Sequence, residues 1–323
     1  MNERSGIAVA GSIIVDHIHD ILSYPKPGEL AQILQSRNAV GGCVPNVAID
    51  LKRINPDMSV RAIGMIGDDE SGRYVSAVLR GEHVDVSGLT VSAKESTGFT
   101  EVMSIIEGER TFFSCMGANS AFGVREADIG RLNVKMLHLG YFLLLKKVDE
   151  GDGMLILKEA QAAGIRTSID LVSVDSERYG SVLPCLPYTD NLIINEYEAG
   201  KLSGMEPSDD NMERIADFLL RAGVKQRVII HRPDASFCLS SGGFTKVKSY
   251  ELPEGYIKGS TGAGDAFCAG ALTGIYDDKT DAEILEFASQ CAVMSLGRAD
   301  ATGGLTEKEK IVQYCSRFKK AMP

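Results

Sequence analysis

Short β-rich apolar segments alternate with amphipathic helical segments along most of this chain, and no other feature restricts its fold so tightly. The strand-like segments are GIAVAGSIIVDHI (6–18), VRAIGMIG (60–67), KMLHLGYF (135–142), GIRTSID (164–170), DNLIIN (190–195) and RVIIHRPDASFCLS (227–240). Between them NVAIDLKRI (46–54), SGRYVSAVLRG (71–81), GMLILKEAQAAG (153–164) and NMERIADFLLRAG (211–223) carry apolar residues at i, i+3, i+4 spacing. Strand and helix taking turns predicts an α/β fold with a doubly wound, mainly parallel sheet flanked by helices. The last third departs from the alternation. After SGGFTKVKSYELPEGY, a hairpin or connecting stretch, the segments 266–276, 282–297 and 307–321 all read as helices, and Thr280 with Glu283 and Thr306 with Glu309 have capping-box spacing.

Two stretches fit poorly inside such a layer, about 18–40 and 97–118. The second reads as a hairpin, TEVMSII and RTFFSC joined by EGE, with Gly108 available for the turn. Together they predict a small β-sheet lid on a single domain spanning 1–323, with a ligand enclosed beneath it. A net charge of -10 and a pI near 5.1 argue against a nucleic-acid surface, which needs clustered cations. No apolar run approaches the roughly 20 residues of a membrane span and the start MNERSG lacks a cleavable apolar core, so no membrane contact and a cytoplasmic location are expected. Seven scattered cysteines with no CxxC pair read as buried free thiols.

The chemistry concentrates in GSTGAGDAF (259–267), where a run of small residues closes on Asp265 at the start of a helix. Gly262, Ala263 and Gly264 then hold the first amides of that helix, which lack partners within it. Such amides bind anions, and glycines let a phosphate approach without a Cβ in the way. A carboxylate beside that cradle suits proton abstraction during phosphoryl transfer, one of the few tasks that reaction leaves to a side chain. On spacing alone, a plain turn and helix cap fits as well. No GxxxxGK[ST] loop is present and HRPD (231–234) is not an HRD catalytic loop, which excludes P-loop NTPases and protein kinases.

GSTGAGDAF resembles the C-terminal signature of the ribokinase-like (PfkB) carbohydrate kinases, DTxGAGDxF. Further segments similar to that family stand in its order: GSIIVDHI (11–18), VGGCVPNVAIDLKRI (40–54), IGMIGDDESGRYV (63–75), MGANSAF (116–122) and NLIINEYEAGKLSG (191–204). The resemblance implies an ATP-dependent kinase acting on a hydroxyl of a small sugar or polyol. It implies that Asp265 is the catalytic base, that the amides of Gly262, Ala263 and Gly264 cradle the phosphoryl group, and that Asp16, Gly41, Gly42 and Asn46 bind substrate. Asn195 and Glu198 would organise Mg²⁺ near the phosphates, Glu198 through water, with a capping pair at a helix start as the alternative. Either His231 and Arg232 contact phosphate or they are exposed turn residues, and Ser289 stands where the family often carries an asparagine near the base. The resemblance also implies a homodimer through the lid and a monovalent cation near the loop.

Several positions depart from the family pattern. Gly259 replaces the usual aspartate, Pro233 and Ala235 stand where a Gly-rich nucleotide turn is expected, and Asp300 replaces a glycine. Cys43 and Val44 occupy places where sugar-phosphate kinases often carry a lysine, which favours an unphosphorylated substrate. Two other readings stay open. A nucleoside kinase is one, with Phe112 or Phe113 stacking on a base. The other is a sugar-binding sensor that kept the fold without turnover.

Overall fold

The computed structural model describes residues 4–105 and 108–320. Residues 1–3, position 106 at the end of the expected strand TEVMSII, position 107 in the expected turn, and 321–323, which include the end of the expected last helix, lie outside the described residues. Among the described residues thirteen strands form two sheets. The large sheet contains β1 (Ile7–Gly11), β4 (Val60–Gly67), β5 (Asp85–Ser92), β8 (Met136–Phe142), β9 (Arg166–Leu171), β10 (Asn191–Asn195), β11 (Arg227–His231), β12 (Ala235–Ser240) and β13 (Gly243–Lys248). Its order is β13-β12-β11-β10-β9-β8-β1-β4-β5, parallel from β11 to β5 with β12 and β13 antiparallel at one edge. The small sheet, the lid, has the order β3-β2-β6-β7, from β2 (Ile14–Ile21), β3 (Ile33–Gly41), β6 (Gly98–Ile105) and β7 (Arg110–Cys115).

The helices are α1 (Cys43–Ile54), α2 (Glu70–Gly81), α3 (Val124–Ala127), α4 (Gly153–Ala162), α5 (Glu196–Ser203), α6 (Met212–Arg221), α7 (Ala263–Tyr276), α8 (Asp281–Leu296) and α9 (Lys308–Cys315). They cover both faces of the sheet. Ile7 and Val9 of β1 enter one apolar cluster with α1, α7 and α8, while Ala8 and Ala10 enter the opposite one with α4 and α6. This alternation explains why β1 is wholly apolar: each face of a central parallel strand is buried. None of the described helices is long and apolar enough to cross a membrane.

The strand order reverses between β1 and β8, where the chain stops adding strands on one side and starts on the other. Carboxyl ends of strands beside such a switch form a crevice. Gly140 and Tyr141 of β8, Asp170 of β9, Asn195 of β10 and His231 of β11 all lie at those ends.

Several expectations need correction. The segment 6–18 is two strands in different sheets, broken at Ser12 and Ile13, so the lid begins at Ile14. Asn119, fully buried, fixes the break: its Oδ1 accepts from Ile13 N (2.8 Å) and its Nδ2 donates to Ile13 O (2.7 Å). The segment 227–240 is a hairpin of β11 and β12, because Pro233 and Asp234 interrupt the run. α1 starts at Cys43, which puts Asn46 inside the helix, and α7 starts at Ala263, which puts Asp265 in its first turn. The Thr280–Glu283 capping box forms, but α9 is capped at Glu307 without a side-chain bond and ends at Cys315. β5 was not legible, since its alternation of Asp, Ser and Thr with few large apolar residues is that of a half-covered edge strand.

One buried group carries a stability prediction. Asp50 of α1 has no exposure and neither carboxyl oxygen has a hydrogen-bond partner among the described residues. Burial, reinforced by the charge of Asp265, pushes its pKa well above the usual carboxylate value. A carboxyl raised in the folded state contributes stability below its unfolded pKa of about 4 and loses it as pH rises through the folded value. Asp50→Val, similar in size, is expected to stabilise the fold by about 1–3 kcal/mol near neutral pH. Its advantage in urea midpoint should widen as pH is raised from about 5 to about 9.

Candidate active site

The loop 259–262 turns into α7 through Gly262, whose φ is 80° and whose ideal Cβ would lie 2.3 Å from Ala301 O. Only glycine fits this conformation and this contact. The turn leaves the amides of Gly264 and Asp265 without acceptors among the described residues, while Ala263 N bonds Ser260 O (3.2 Å). Above Gly264 the space is open, because a Cβ there would meet nothing nearer than His231 Cε1 at 3.9 Å. Two free amides at the positive end of a 14-residue helix, reachable past a residue without a side chain, form an anion cradle.

Asp265 is 5% exposed, and its Oδ2 accepts from Asn46 Nδ2 (2.9 Å) and Tyr141 OH (3.0 Å). Oδ1 has no hydrogen-bond partner among the described residues. Burial pushes the pKa up to about 7, and the nearby charge of Asp170 adds to the rise, while the Asn46 and Tyr141 hydrogen bonds pull it down. A carboxyl near 7 with one oxygen held and the other free can take a proton at neutral pH.

Around it lies a cavity of about 180 Å³ lined by Tyr141, Asp170, Asn195, Glu198, Gly264 and Asp265, among others. Beyond Gly264 and His231 a larger apolar groove of about 750 Å³ runs past Tyr250, Leu252, Phe267, Ser289 and Val293. Asn195, His231 and Gly264 border both, so the cradle stands at the junction of a small polar space and a long apolar one.

The structure distributes the residues singled out in the sequence unevenly. Asn46 joins Asp265 directly, and its Oδ1 is buried without a partner among the described residues. Gly42 has φ 87° and leads into α1, but the next amides are taken: Cys43 N by Ser12 Oγ (3.1 Å) and Val44 N by Ser12 O (3.1 Å). The expectation that substrate meets amides there therefore does not extend past Gly42. A Cβ on Gly41 would stand 2.6 Å from Asp16 Oδ2, so the glycine makes room for that carboxyl. Asp16, on β2 of the lid, has no hydrogen-bond partner among the described residues, and burial pushes its pKa up to about 6.

Asn195 and Glu198 do form the capping box of α5: Asn195 Oδ1 accepts from Glu198 N (2.9 Å) and Glu198 Oε2 from Asn195 N (3.0 Å). Ser173 Oγ donates to Glu198 Oε1 (2.9 Å), and burial raises the Glu198 pKa to about 7. Both residues still line the cavity, so capping and cavity facing coexist. His231 packs on Phe267 with ring centroids 4.6 Å apart, and desolvation lowers its pKa to about 4, so it is neutral at pH 7. The Arg232 guanidinium pairs with Asp209 and Asp234. Neither therefore offers a free positive charge, although both border the groove. Ser289 Oγ donates to Leu285 O (2.8 Å) and its side chain faces the groove beside Ser236. Tyr141 and Asp170 were not found from sequence. Both sit in runs that read simply as strands, and only the sheet order brings them to Asp265.

Residues 4–308 match the profile of the pfkB family carbohydrate kinase. The chain is 26% identical to a probable fructokinase-7 of Arabidopsis thaliana, over 95% of this chain and 91% of that protein. It is 27% identical to an ATP-dependent ribose-1-phosphate kinase of Halopiger xanaduensis, over 91% of this chain and 93% of that protein. The structure of Arabidopsis thaliana ribokinase complexed with ribose and ATP superposes with a TM-score of 0.81 at 20% identity, covering 96% of this chain and 98% of that one.

Proposed function

The chain belongs to the pfkB family of carbohydrate kinases, and from that premise we propose that it transfers the γ-phosphoryl group of ATP to a hydroxyl of a small, unphosphorylated sugar or polyol, with Asp265 as general base. The observation that carries this reading is the pairing of a half-held carboxyl near neutrality with unpartnered amides one residue away. The acceptor hydroxyl lies between Asp265 Oδ1 and the cradle. As it attacks, its proton passes to Oδ1, while the amides of Gly264 and Asp265 stabilise charge on the transferring group. Asn46 and Tyr141 hold the carboxylate and keep its proton affinity from rising further. Closure of the lid carries Asp16 and Gly41 against the sugar and excludes water, which would otherwise compete as acceptor.

ATP fits the long groove, with its base among Tyr250, Leu252, Val293 and Ser289 and its phosphates leading past His231 to Gly264. Asn195 and Glu198 are suited to hold Mg²⁺ through water, since Glu198 is a buried carboxyl poised to ionise beside a cation. Bound there, the ion would neutralise phosphate charge. For a monovalent cation the residues fit less well: Gly259 brings no carboxylate, and the carboxyl of Asp300 is engaged by Gly303 N. No step is assigned to such an ion. Exposed Leu22, Leu30, Ile33, Leu34 and Phe113 of the lid region suit a second copy of the chain, which would make a homodimer.

The substrate assignment rests on charge. Cys43 and Val44, between Gly42 and Asn46, bring no cation for a substrate phosphate to meet. A nucleoside remains the second reading, because Phe112 and Phe113 are each 61% exposed on β7 and present free ring faces. ADP release measured across unphosphorylated sugars, sugar phosphates and nucleosides tests the assignment. Turnover should appear with an unphosphorylated sugar or polyol and fall at least about 100-fold with its phosphorylated form, as expected when a dianion is buried without a partner. Turnover confined to nucleosides selects the second reading, and tight sugar binding with no turnover supports the sensor.

A further inference from the structure

Behind the catalytic cavity four chemically reactive side chains from four different elements converge in the core, and the transfer described above employs none of the thiols or the imidazole. Cys43 of α1, His138 of β8 and Asp170 of β9 are buried, and one ligand atom of each lies within 4.8 Å of the others. Cys268 Sγ of α7 stands 3.5 Å from His138 Nε2, and Asp170 Oδ2 stands 3.3 Å from the same nitrogen. A tetrahedral zinc ion with ordinary N, O and S bond lengths holds its donors roughly 3.3–3.8 Å apart. Cys43, His138 and Asp170 already group within 4.8 Å, while Cys268, beside the imidazole but outside that group, would have to rotate its side chain to join it.

The surroundings are arranged as a ligand set requires. His138 Nδ1 is 3.0 Å from Ser168 Oγ; in the tautomer that donates Nδ1–H to Ser168, Nε2 presents its lone pair to the other three groups. Tyr141 N donates to Asp170 Oδ1 (2.6 Å), fixing that carboxylate with Oδ2 turned inward. Gly140 makes room for the first thiol, since a Cβ there would lie 1.9 Å from Cys43 Sγ. Asp170 and Cys268 both line the catalytic cavity, which supplies an entry path. In a parallel-sheet core, where strand positions are ordinarily aliphatic, this set is chemically conspicuous.

We propose that Cys43, His138, Asp170 and Cys268 bind a soft divalent cation of the Zn²⁺ class at the floor of the catalytic cavity. Binding forms two metal–sulfur bonds, one metal–nitrogen bond and one metal–oxygen bond, and the two thiol protons leave to solvent. Thiolate ligands select against Mg²⁺, so this site is distinct from the one near Glu198. The proposal stands on the donor set and does not require the substrate assignment above.

The test measures metal, not turnover. In a Cys115→Ser background, which removes the exposed thiol, chelator-stripped protein is dialysed against Zn²⁺ or Co²⁺ in the presence of excess Mg²⁺. One ion per chain is expected by elemental analysis, with thiolate-to-cobalt charge-transfer absorption. Cys43→Ser with Cys268→Ser should abolish that band, and Ser168→Ala should weaken affinity about 10–100-fold by freeing the imidazole. Cys185→Ser, altering a buried thiol elsewhere, should leave binding intact. Circular dichroism checks that each variant is folded, and Ser168→Ala keeps the question open to refutation if the double cysteine variant is not. Binding well below one ion per chain, or an unchanged cobalt spectrum in the folded double variant, overturns the proposal.

Discussion

Asp265→Asn is expected to lower kcat by about 10²–10⁴-fold while leaving the melting temperature and sugar binding close to those of the parent protein. Asparagine keeps the size of the side chain and can still accept from Asn46 Nδ2 and Tyr141 OH, so the local packing survives. What is lost is the ability to take a proton. As the proposed general base, Asp265 must be ionised in the parent protein, and its pKa of about 7 places the acid limb of the kcat/KM profile there. The rate should fall tenfold per pH unit below that value and level off above it. Tyr141→Phe removes one of the hydrogen bonds that lowers the Asp265 pKa, so the acid limb should move to higher pH. Steady-state ADP release across pH checks all three statements. A profile for Asp265→Asn that matched the parent in height and shape would remove Asp265 from the chemistry.

The large sheet was legible because its signal is local and repeated. β4, β8, β9 and β10 lie where apolar β-rich runs predicted, and the amphipathic segments that follow β4, β8 and β10 became α2, α4 and α6 with ends shifted by one or two residues. GSTGAGDAF was legible for a similar reason, since a glycine-flanked helix start is a property of a few adjacent residues. Boundaries between sheets were not. Residues 6–18 form one continuous apolar run, and what breaks it is Asn119, about a hundred positions later, gripping Ile13.

The electrostatics of the site were beyond a sequence reading for the same physical reason. Asp265 owes its high proton affinity to burial and to Asp170, which arrives from β9, and its restraint to Asn46 and Tyr141, from α1 and β8. His231 and Arg232 make the converse case. Their residue types suggested charge for phosphate, but burial neutralises one and Asp209 with Asp234 occupies the other. A nucleotide held here would depend on helix amides and apolar contact more than on cationic side chains.

That dependence makes the two glycines of the cradle the sharpest probes of it. Gly262→Ala forces a Cβ to within 2.3 Å of Ala301 O at a φ of 80°, so the loop must shift or strain. The strain amounts to about 1–3 kcal/mol, and the displaced amides should cost about 10²–10³-fold in kcat, as for a lost oxyanion donor. Both the melting temperature and the activity should drop. Gly264→Ala differs in kind, because its Cβ meets only His231 Cε1 at 3.9 Å and the protein accommodates it. Its melting temperature should hold or rise slightly, since alanine favours the helix. The methyl group instead occupies the space proposed for a phosphate, so the KM for ATP should rise about tenfold or more, the equivalent of one lost charge-assisted hydrogen bond. Thermal melts and ATP titrations on the pair separate a structural glycine from one that clears a path for phosphate. Equal losses of activity and stability in both variants would place the phosphates elsewhere than over Gly264.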